Sequence, residues 1–281
     1  MLKYERLLKT IPGINWKKEK YINFGWDYDV ILLDNNYVVR IPKNQAAIKR
    51  VLVDFCLLKF LNGIKKFYIP RPIYLDKKAR LAVYKIVKGR PVTIASYKKM
   101  TDQQEEEFAE SLGQFLKTLH SIPTRKIRDC KLPTNDLRNI SKIISKDAAI
   151  IRPYLNKIQN VKLGIFLKER KSVLKNTNLV LTHGDLNSDH IFINNGNLGV
   201  IDFSDASISD PAVDLAGLLS YGPHFVRQVL KYYKSNLGDF LILRAEIYHK
   251  DVAIKVLAAA VRRSKQISIR EAKRFFDQRL K

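Results

Sequence analysis

One tight-turn signal constrains the fold of this chain more than any other feature of its sequence. Asn195-Gly196 lies between two short apolar runs, and both turn residues tolerate the positive φ angles that a tight β-hairpin turn needs. A two-residue turn places His190 opposite Ile201, whereas a three-residue loop places His190 directly beside Asp202. In either register, the imidazole and the carboxylate meet at the open end of the hairpin.

A second carboxylate, Asp185, lies in the loop that enters this hairpin. The three groups are compatible with a hydrolytic metal site, or in principle with a Ser-His-Asp arrangement, although no G-x-S-x-G elbow is present. They also suit phosphoryl transfer, in which one aspartate accepts the proton of a substrate hydroxyl and another helps to hold Mg²⁺ on nucleotide phosphates. Each aspartate alone is more often a turn cap, but Asp202 directly follows an apolar run, where a charge must be paired or coordinated.

The chain is strongly basic, because 51 Lys and Arg residues against 27 Asp and Glu residues give a formal net charge of +24. This excess could attract a nucleotide, a nucleic acid or an acidic lipid. A solvated lysine-rich surface is the more common explanation, since the basic residues form no compact arm and no repeat interleaved with aromatic residues. We therefore expect no specific nucleic-acid partner.

No apolar run approaches the roughly 18 residues of a membrane-spanning helix, and the N-terminus has no apolar signal region. We therefore expect a cytoplasmic protein with no membrane partner. The two cysteines, Cys56 and Cys130, are widely spaced, and Cys56 lies in an apolar run. This setting predicts buried free thiols in a reducing compartment rather than a disulfide.

The order of patterns along the chain predicts an α+β fold with two lobes. In residues 1–87, paired apolar runs about the turn residues Asp34–Asn36 indicate a small antiparallel sheet, and one long helical pattern ends near Gly63. Residues 88–281 are mainly helical, starting with a capping-box pattern at Thr101, and the hairpin around Asn195-Gly196 interrupts them.

The segments HGDLNSDHIFI and GVIDFSDASISDPAVDLAGL resemble the aminoglycoside phosphotransferase family, which has a protein-kinase-like fold. They match its H-G-D-x-x-x-x-N motif and the following I-D-[FW] motif. The resemblance is closest to the 2″-aminoglycoside branch, in which the Asn position is often His, as His190 is here. Macrolide phosphotransferases also carry His at this position. FGWDYDVILLDNNYVVRIPK, VYKIVKGRP and LGQFLKTLHSIP are similar to further family segments, so the resemblance covers nearly the whole chain.

The resemblance implies a nucleotide-binding lobe in residues 1–87 and a catalytic and substrate-binding helical lobe in residues 88–281. Asp185 would be the catalytic base. His190 and Asp202 would hold Mg²⁺, with ATP or GTP as the phosphate donor.

Other motif positions imply contacts with the nucleotide. Arg40 stands where kinases carry the strand lysine that holds phosphates, and Asp54 stands where its partner glutamate sits. Because the Arg is longer and the Asp shorter, the two changes could compensate, and we hypothesise that the pair is retained. Gly25 would belong to the phosphate-covering turn, while the stretch containing Tyr84, Lys85 and Val87 would offer backbone groups to the purine. A His in place of Asn is a less typical Mg²⁺ ligand, so the site could tolerate Mn²⁺ well.

The implied substrate is an aminoglycoside, with the 2″ hydroxyl favoured, and the implied consequence is antibiotic resistance in a monomeric enzyme. A polycation would need acidic groups, and the candidates are Asp205, Glu246 and Asp251. A macrolide or another small-metabolite kinase activity remains an alternative. A non-catalytic pseudokinase that binds nucleotide or nucleic acid is another, although such a protein needs no set of Asp185, His190 and Asp202.

Four further polar residues are predicted to have structural roles. His183 is expected to brace the loop backbone around Asp185, and His120 to end a helix as a satisfied core residue. Asp210 and Asp214 are expected at a helix start and in loop bracing.

Overall fold

The computed structural model describes residues 2–22, 27–64, 67–76, 78, 80–175, 177–233, 238–262 and 267–280. It forms two compact units. The first unit contains Met1–Val92, Arg125–Leu132 and Asp189–Ala206, and the second contains Thr93–Thr124, Pro133–Ser188 and Ser207–Lys281. The predicted functional division between residues 87 and 88 stays a prediction. In the structure, the first unit also includes the later segments Arg125–Leu132 and Asp189–Ala206.

The first unit is built on five antiparallel strands. In chain order they are β1 (Glu19–Ile22), β2 (Tyr28–Leu33), β3 (Tyr37–Pro42), β4 (Arg71–Leu75) and β5 (Ala82–Lys85). Their spatial order is β1-β2-β3-β5-β4. The β2–β3 turn uses positive φ angles at Asp34 and Asn35, as the polar turn residues predict. Alternating apolar side chains of the sheet form a core with a short N-terminal helix, α1 (Leu2–Leu8).

One long helix, α2 (Gln45–Ile64), packs against the strands β3 and β4 of this sheet. The hairpin belongs to the same unit. Its strands, β9 (Ile191–Asn194) and β10 (Asn197–Val200), form a three-stranded sheet with β6 (Arg90–Pro91) in the order β10-β9-β6. The sheet is anchored where the Val92 amide donates to the Ile191 carbonyl at 2.9 Å and the Val200 amide donates to the Tyr68 carbonyl at 3.0 Å.

The second unit is mainly helical. Its helices are α3 (Ile94–Tyr97), α4 (Asp102–His120), α5 (Leu137–Ile151), α6 (Lys157–Val173), α7 (Ala212–Leu218), α8 (Pro223–Tyr233), α9 (Gly238–Val261) and α10 (Ile269–Arg279). Thr101 and Gln104 form the predicted capping box at the start of α4. None of the helices in the described ranges is both long and apolar enough to cross a membrane.

A small sheet in the second unit holds the loop that contains Asp185. Its strands are β7 (Thr134–Asn135), β8 (Val180–Thr182) and β11 (Ser207–Ser209), in the order β7-β11-β8. β8 leads directly into the loop, and β11 pairs with it in the antiparallel direction, Ser207 opposite Thr182. The buried Thr182 hydroxyl donates to the Ser207 carbonyl at 3.1 Å. The chain therefore enters the loop from a fixed strand end.

The cysteine prediction is wrong. Cys56 and Cys130 form a disulfide between α2 and the 3₁₀ helix Thr124–Cys130, with their Cα atoms 5.3 Å apart. The packing of this distant segment on the first unit brings together two residues 74 positions apart, which sequence spacing alone does not reveal. Because the disulfide leaves neither cysteine as a free thiol, the expected reducing compartment loses its support.

Reduction of this disulfide should destabilise the protein, because the bond closes a long loop in the unfolded chain. We expect a reductant to lower the free energy of unfolding by roughly 2–5 kcal/mol. The measurement is urea unfolding with and without the reductant. The free energy of unfolding of a Cys56→Ser/Cys130→Ser variant should be the same with and without the reductant. Equal stability of the oxidised and reduced wild-type protein would contradict the assignment.

Candidate active site

The hairpin turn takes the two-residue form. Asn195 and Gly196 have φ angles of 49° and 77°, and Asn194 pairs with Asn197 across the turn. The register continues to the open end, where the Ile201 amide donates to the His190 carbonyl at 2.9 Å. Of the two predicted registers, the one that sets His190 opposite Ile201 is therefore confirmed.

This register leaves Asp202 one residue beyond the pair and next to His190. The Nε2 atom of His190 lies 3.7 Å from an Asp202 carboxylate oxygen. Asp202 has a φ angle of 65°, an uncommon backbone state for a residue with a side chain. The Ser204 hydroxyl donates to the Asp202 carboxylate at 2.8 Å and supports this conformation. Sequence reasoning missed Ser204, although an Asp followed two residues later by Ser is a recognisable local turn signal.

The guanidinium group of Arg40 joins two carboxylates of the first unit. Its Nη1 atom lies 3.7 Å from Asp54 on α2, and its Nη2 atom lies 3.2 Å from Asp202 at the hairpin. The Arg40 side chain is 12% exposed and that of Asp54 is fully buried. The hypothesised Arg40–Asp54 pair is thus present, and the second partner, Asp202, connects α2 with the hairpin. We call Arg40, Asp54, His190 and Asp202 the hairpin cluster.

Two tyrosine rings enclose this charge. The guanidinium carbon of Arg40 lies 5.5 Å from the ring centre of Tyr28 and 5.6 Å from that of Tyr84, within cation–π range. Burial raises the pKa of Asp54 to about 6, and the charge of Arg40 and the hydroxyl of Tyr84 oppose this increase. The sequence suggested a backbone role for Tyr84, whereas the structure also places its side chain beside the ion pair.

Of the three backbone amides that follow β5, the first and the third donate hydrogen bonds to groups within the protein. The Ile86 amide donates to the Asn36 carbonyl at 3.1 Å, and the Lys88 amide donates to the Tyr68 hydroxyl at 2.6 Å. The Val87 amide between them donates to none of the described residues. Lys85 is exposed at the end of β5. Gly25 lies outside the described residues.

In the second unit, Asp185 is held in a short polar loop. The Asn187 side-chain amide donates to the Asp185 carboxylate at 2.9 Å, and the Asp185 amide donates to the ring nitrogen Nδ1 of His183 at 3.3 Å. His183 is fully buried, and its ring accepts this bond inside the loop, as its predicted bracing role requires. Asn187 was not predicted. We call His183–Asn187 the His-Gly-Asp loop.

Asp214 holds the first part of this loop from below. Its two carboxylate oxygens accept the backbone amides of His183 at 2.9 Å and Gly184 at 2.8 Å. Gly217, one turn further along α7, approaches the loop so closely that an added Cβ would lie 2.0 Å from the Leu186 carbonyl oxygen. The predicted bracing role of Asp214 is confirmed.

Comparison with known proteins identifies the family of the chain. A model of the phosphotransferase enzyme family, APH, matches residues 19–246. This chain belongs to that family.

Solved structures confirm the predicted kinase-like fold. The GDP and kanamycin complex of APH(2″)-IIIa has a TM-score of 0.89 and 25% identity, and the match covers 97% of this chain and 96% of that chain. ADP-bound APH(2″)-Ib has a TM-score of 0.77 and 26% identity, with 99% and 96% coverage. Macrolide 2′-phosphotransferase type I is similar in fold, with a TM-score of 0.76 at 21% identity and coverage of 94% and 92%.

The acidic residues of the second unit differ in burial and in their partners. Asp251 on α9 is 1% exposed and forms a buried ion pair with Arg170 at 2.9 Å. This placement corrects the prediction that Asp251 faces a substrate, because a carboxylate committed to a buried guanidinium is not free to bind another cation. Asp210 is likewise buried, with Arg244 and Tyr248 as its partners.

Glu246 differs from the other acidic residues of the C-terminal helices. Residues 223–280 contain five acidic side chains, and four of them have partners: Asp239 with Arg227, Asp251 with Arg170, Glu271 with Ser268 and Asp277 with Gln159. Glu246, half-buried on α9, has no hydrogen bond or ion pair with the described residues. Asp205 is exposed at the end of the 3₁₀ helix Phe203–Asp205.

The Arg40 charge should be difficult to replace, even with another cation. In Arg40→Lys, one ammonium group cannot meet both Asp54 and Asp202 with separate nitrogens, so we expect the free energy of unfolding to fall by roughly 1–3 kcal/mol. Urea unfolding measures this loss. Arg80→Lys is the matched control, because the Arg80 side chain is 52% exposed in its pair with Asp76. This substitution should lower the free energy of unfolding by less than about 1 kcal/mol. Equal losses in both variants would contradict the special role of Arg40.

Proposed function

We propose that this chain is a nucleoside-triphosphate-dependent O-phosphotransferase that modifies a hydroxyl group of an aminoglycoside, with the 2″ position favoured. The observation that carries the proposal is the geometry of the His-Gly-Asp loop, in which Asp185 is oriented by Asn187 and its backbone is held by Asp214. The presence of the hairpin cluster in the same chain supports it further, because phosphoryl transfer needs positive charge for phosphates as well as a proton acceptor.

In this reaction, Asp185 accepts the proton of the substrate hydroxyl. The hydroxyl oxygen forms a bond to the γ-phosphorus as the bond from that phosphorus to the β,γ-bridging oxygen breaks. The nucleoside diphosphate leaves with the electron pair of the broken bond, so atoms and charges balance. Asn187 presents one carboxylate oxygen of Asp185 in a fixed direction, which reduces the reorganisation that proton transfer requires.

His190 and Asp202 are the residues that would hold Mg²⁺. In the described ranges, no group of three or more His, Cys, Asp and Glu side chains is arranged to hold a metal ion. Two adjacent protein ligands nevertheless fit Mg²⁺ that arrives with a nucleotide, because phosphates and water fill its other positions. When bound, Mg²⁺ would neutralise charge on the transferred phosphate.

The rest of the hairpin cluster supports nucleotide binding. Arg40 would neutralise phosphate charge and Asp54 would hold Arg40 in position. The Val87 amide, which donates to none of the described residues, would bind the purine edge with backbone groups of Tyr84 and Lys85. Either ATP or GTP suits such backbone contacts, and the similar structures contain GDP or ADP.

The choice of an aminoglycoside as substrate is supported by the similar kanamycin complex. Glu246 and the exposed Asp205 are the acidic groups that could attract such a cation. A macrolide is the second candidate, and a specific observation favours it. Among the residues that the structure describes, the C-terminal helices offer one carboxylate without a partner, Glu246, and the chain has a net charge of +24. A substrate with less positive charge than an aminoglycoside would meet less repulsion. In either case, the product would be an inactivated antibiotic.

The proposal predicts nucleotide turnover that depends on both a substrate and Asp185. We expect one aminoglycoside or macrolide from a panel to stimulate ATP or GTP consumption, and Asp185→Asn to lower kcat by about 10²-fold or more, since general-base catalysis contributes about 10²–10⁴-fold. Asp239→Asn, which removes an exposed carboxylate on α9, should keep wild-type turnover.

The assay also separates the candidates. Mass spectrometry of the antibiotic identifies the phosphorylated compound, and NMR of the product identifies the modified hydroxyl. If no compound stimulates turnover and Asp185→Asn binds nucleotide as the wild-type protein does, the chain is a non-catalytic nucleotide binder and the proposed function is wrong.

A further inference from the structure

The polar network below the His-Gly-Asp loop extends beyond Asp214. The ring nitrogen Nε2 of His120, the last residue of α4, lies 3.0 Å from an Asp214 carboxylate oxygen. The other ring nitrogen, Nδ1, lies 3.0 Å from the hydroxyl group of Tyr233 at the end of α8. The His120 side chain is 4% exposed and that of Asp214 is fully buried. A continuous path of polar contacts therefore runs from the half-buried Tyr233 through the buried His120 and Asp214 to the loop.

The direction of these hydrogen bonds follows from the ionisation of their members. Burial alone would raise the pKa of Asp214, but hydrogen bonds from His120 and the Gly184 backbone hold it below the usual value, so Asp214 is ionised and only accepts. His120 must then donate from Nε2. Burial raises the pKa of Tyr233 to about 12, so its hydroxyl keeps a proton near neutral pH and can donate to Nδ1. The contact with the Tyr233 hydroxyl thus holds the His120 ring in the orientation that serves Asp214.

Close packing of two helices sets the outer end of this path. At Gly113 on α4, an added Cβ would lie 2.6 Å from the Tyr232 Cβ and 2.6 Å from the Val229 carbonyl oxygen of α8. His120 follows Gly113 by seven residues and lies on the same face of α4 two turns later. The rings of His120 and Tyr233 accordingly meet edge to face, with their centres 5.4 Å apart.

We propose that Tyr233 and His120 are positioning residues for phosphoryl transfer: they orient the Asp214 carboxylate, which holds the His183 and Gly184 amides and thereby fixes Asp185. The proposal rests on the proposed function for its catalytic part only. Neither residue contacts the reacting atoms in this scheme. Removing the Tyr233 hydroxyl frees the His120 ring to rotate, and Asp214 then loses one of its three donors.

The test compares Tyr233→Phe with Tyr232→Phe. Both variants delete one tyrosine hydroxyl from the last turn of α8, but the Tyr232 hydroxyl donates to Glu106 and has no part in the path to the loop. One readout is the exchange rate of the Gly184 amide in the full-length protein. His183-Gly184 is the only His-Gly pair in the sequence, so labelling with ¹³C-carbonyl histidine and ¹⁵N-glycine gives a single NMR signal for this amide.

We expect Tyr233→Phe to speed exchange of the Gly184 amide and to lower kcat, each by about five- to tenfold, because one buried hydrogen bond is lost. The KM for the nucleotide should stay unchanged, since no nucleotide contact is removed. Tyr232→Phe should match the wild-type protein in all three measurements. The same exchange rate and kcat in the two variants would overturn the proposal.

Two further variants test the path at His120. His120→Gln retains a donor for Asp214 and should recover most of the exchange protection that His120→Leu loses; equal exchange in these two variants would count against the path. If the wild-type protein phosphorylates no compound in the panel, the proposed function fails, but the exchange measurements still decide whether Tyr233 and His120 order the loop.

Discussion

The buried positive charge of Arg40 imposes the arrangement of the first unit. A guanidinium that is 12% exposed must be compensated within the protein, and the compensation comes from two directions. Asp54 approaches from α2, and Asp202 approaches from the end of the hairpin. A helix and a hairpin separated by more than a hundred residues are therefore joined at one side chain, and the residues proposed to bind nucleotide phosphate and Mg²⁺ are brought within ångströms of each other.

In the second unit, a buried charge of the opposite sign holds the loop that contains Asp185. Here the buried charge is negative, and Asp214 is compensated by two backbone amides and the ring of His120. Backbone amides that are held in this way cannot drift, because the buried carboxylate would lose its hydrogen bonds. Asp185 follows immediately in the chain. The position of Asp185, the proposed base, thus depends on Asp214, which takes no part in the proposed chemistry.

The sequence predicted local features of the site well. The Asn195-Gly196 turn limited the hairpin to two registers, and both placed His190 near Asp202, because backbone geometry decides such pairing over a few residues. The motif around Asp185 and the bracing role of Asp214 were also readable. Residue type alone could not indicate the partner of Asp251, because α9 is packed on several sides and its orientation depends on the whole second unit.

Long-range packing explains the remaining differences. The Cys56–Cys130 bond and the contact of Tyr233 with His120 join residues that are 74 and 113 positions apart. Neither pair lies within a motif or a periodic pattern. The close approach of α4 and α8 at Gly113 could not be predicted from the sequence, because a glycine inside a helix can have several structural causes. The structure shows that here the cause is the neighbouring helix.

The most direct measurement is electron spin-echo envelope modulation of Mn²⁺ bound with a non-hydrolysable nucleotide. We expect nitrogen modulation from the His190 ring in the wild-type protein, because the hairpin brings together His190 and Asp202, the two residues proposed to hold the metal. In His190→Asn, an oxygen ligand should preserve binding of Mn²⁺ while the nitrogen modulation disappears. Wild-type protein that binds Mn²⁺ with the nucleotide but shows no nitrogen modulation, or the same modulation in both proteins, would contradict the proposed role of His190 as a metal ligand.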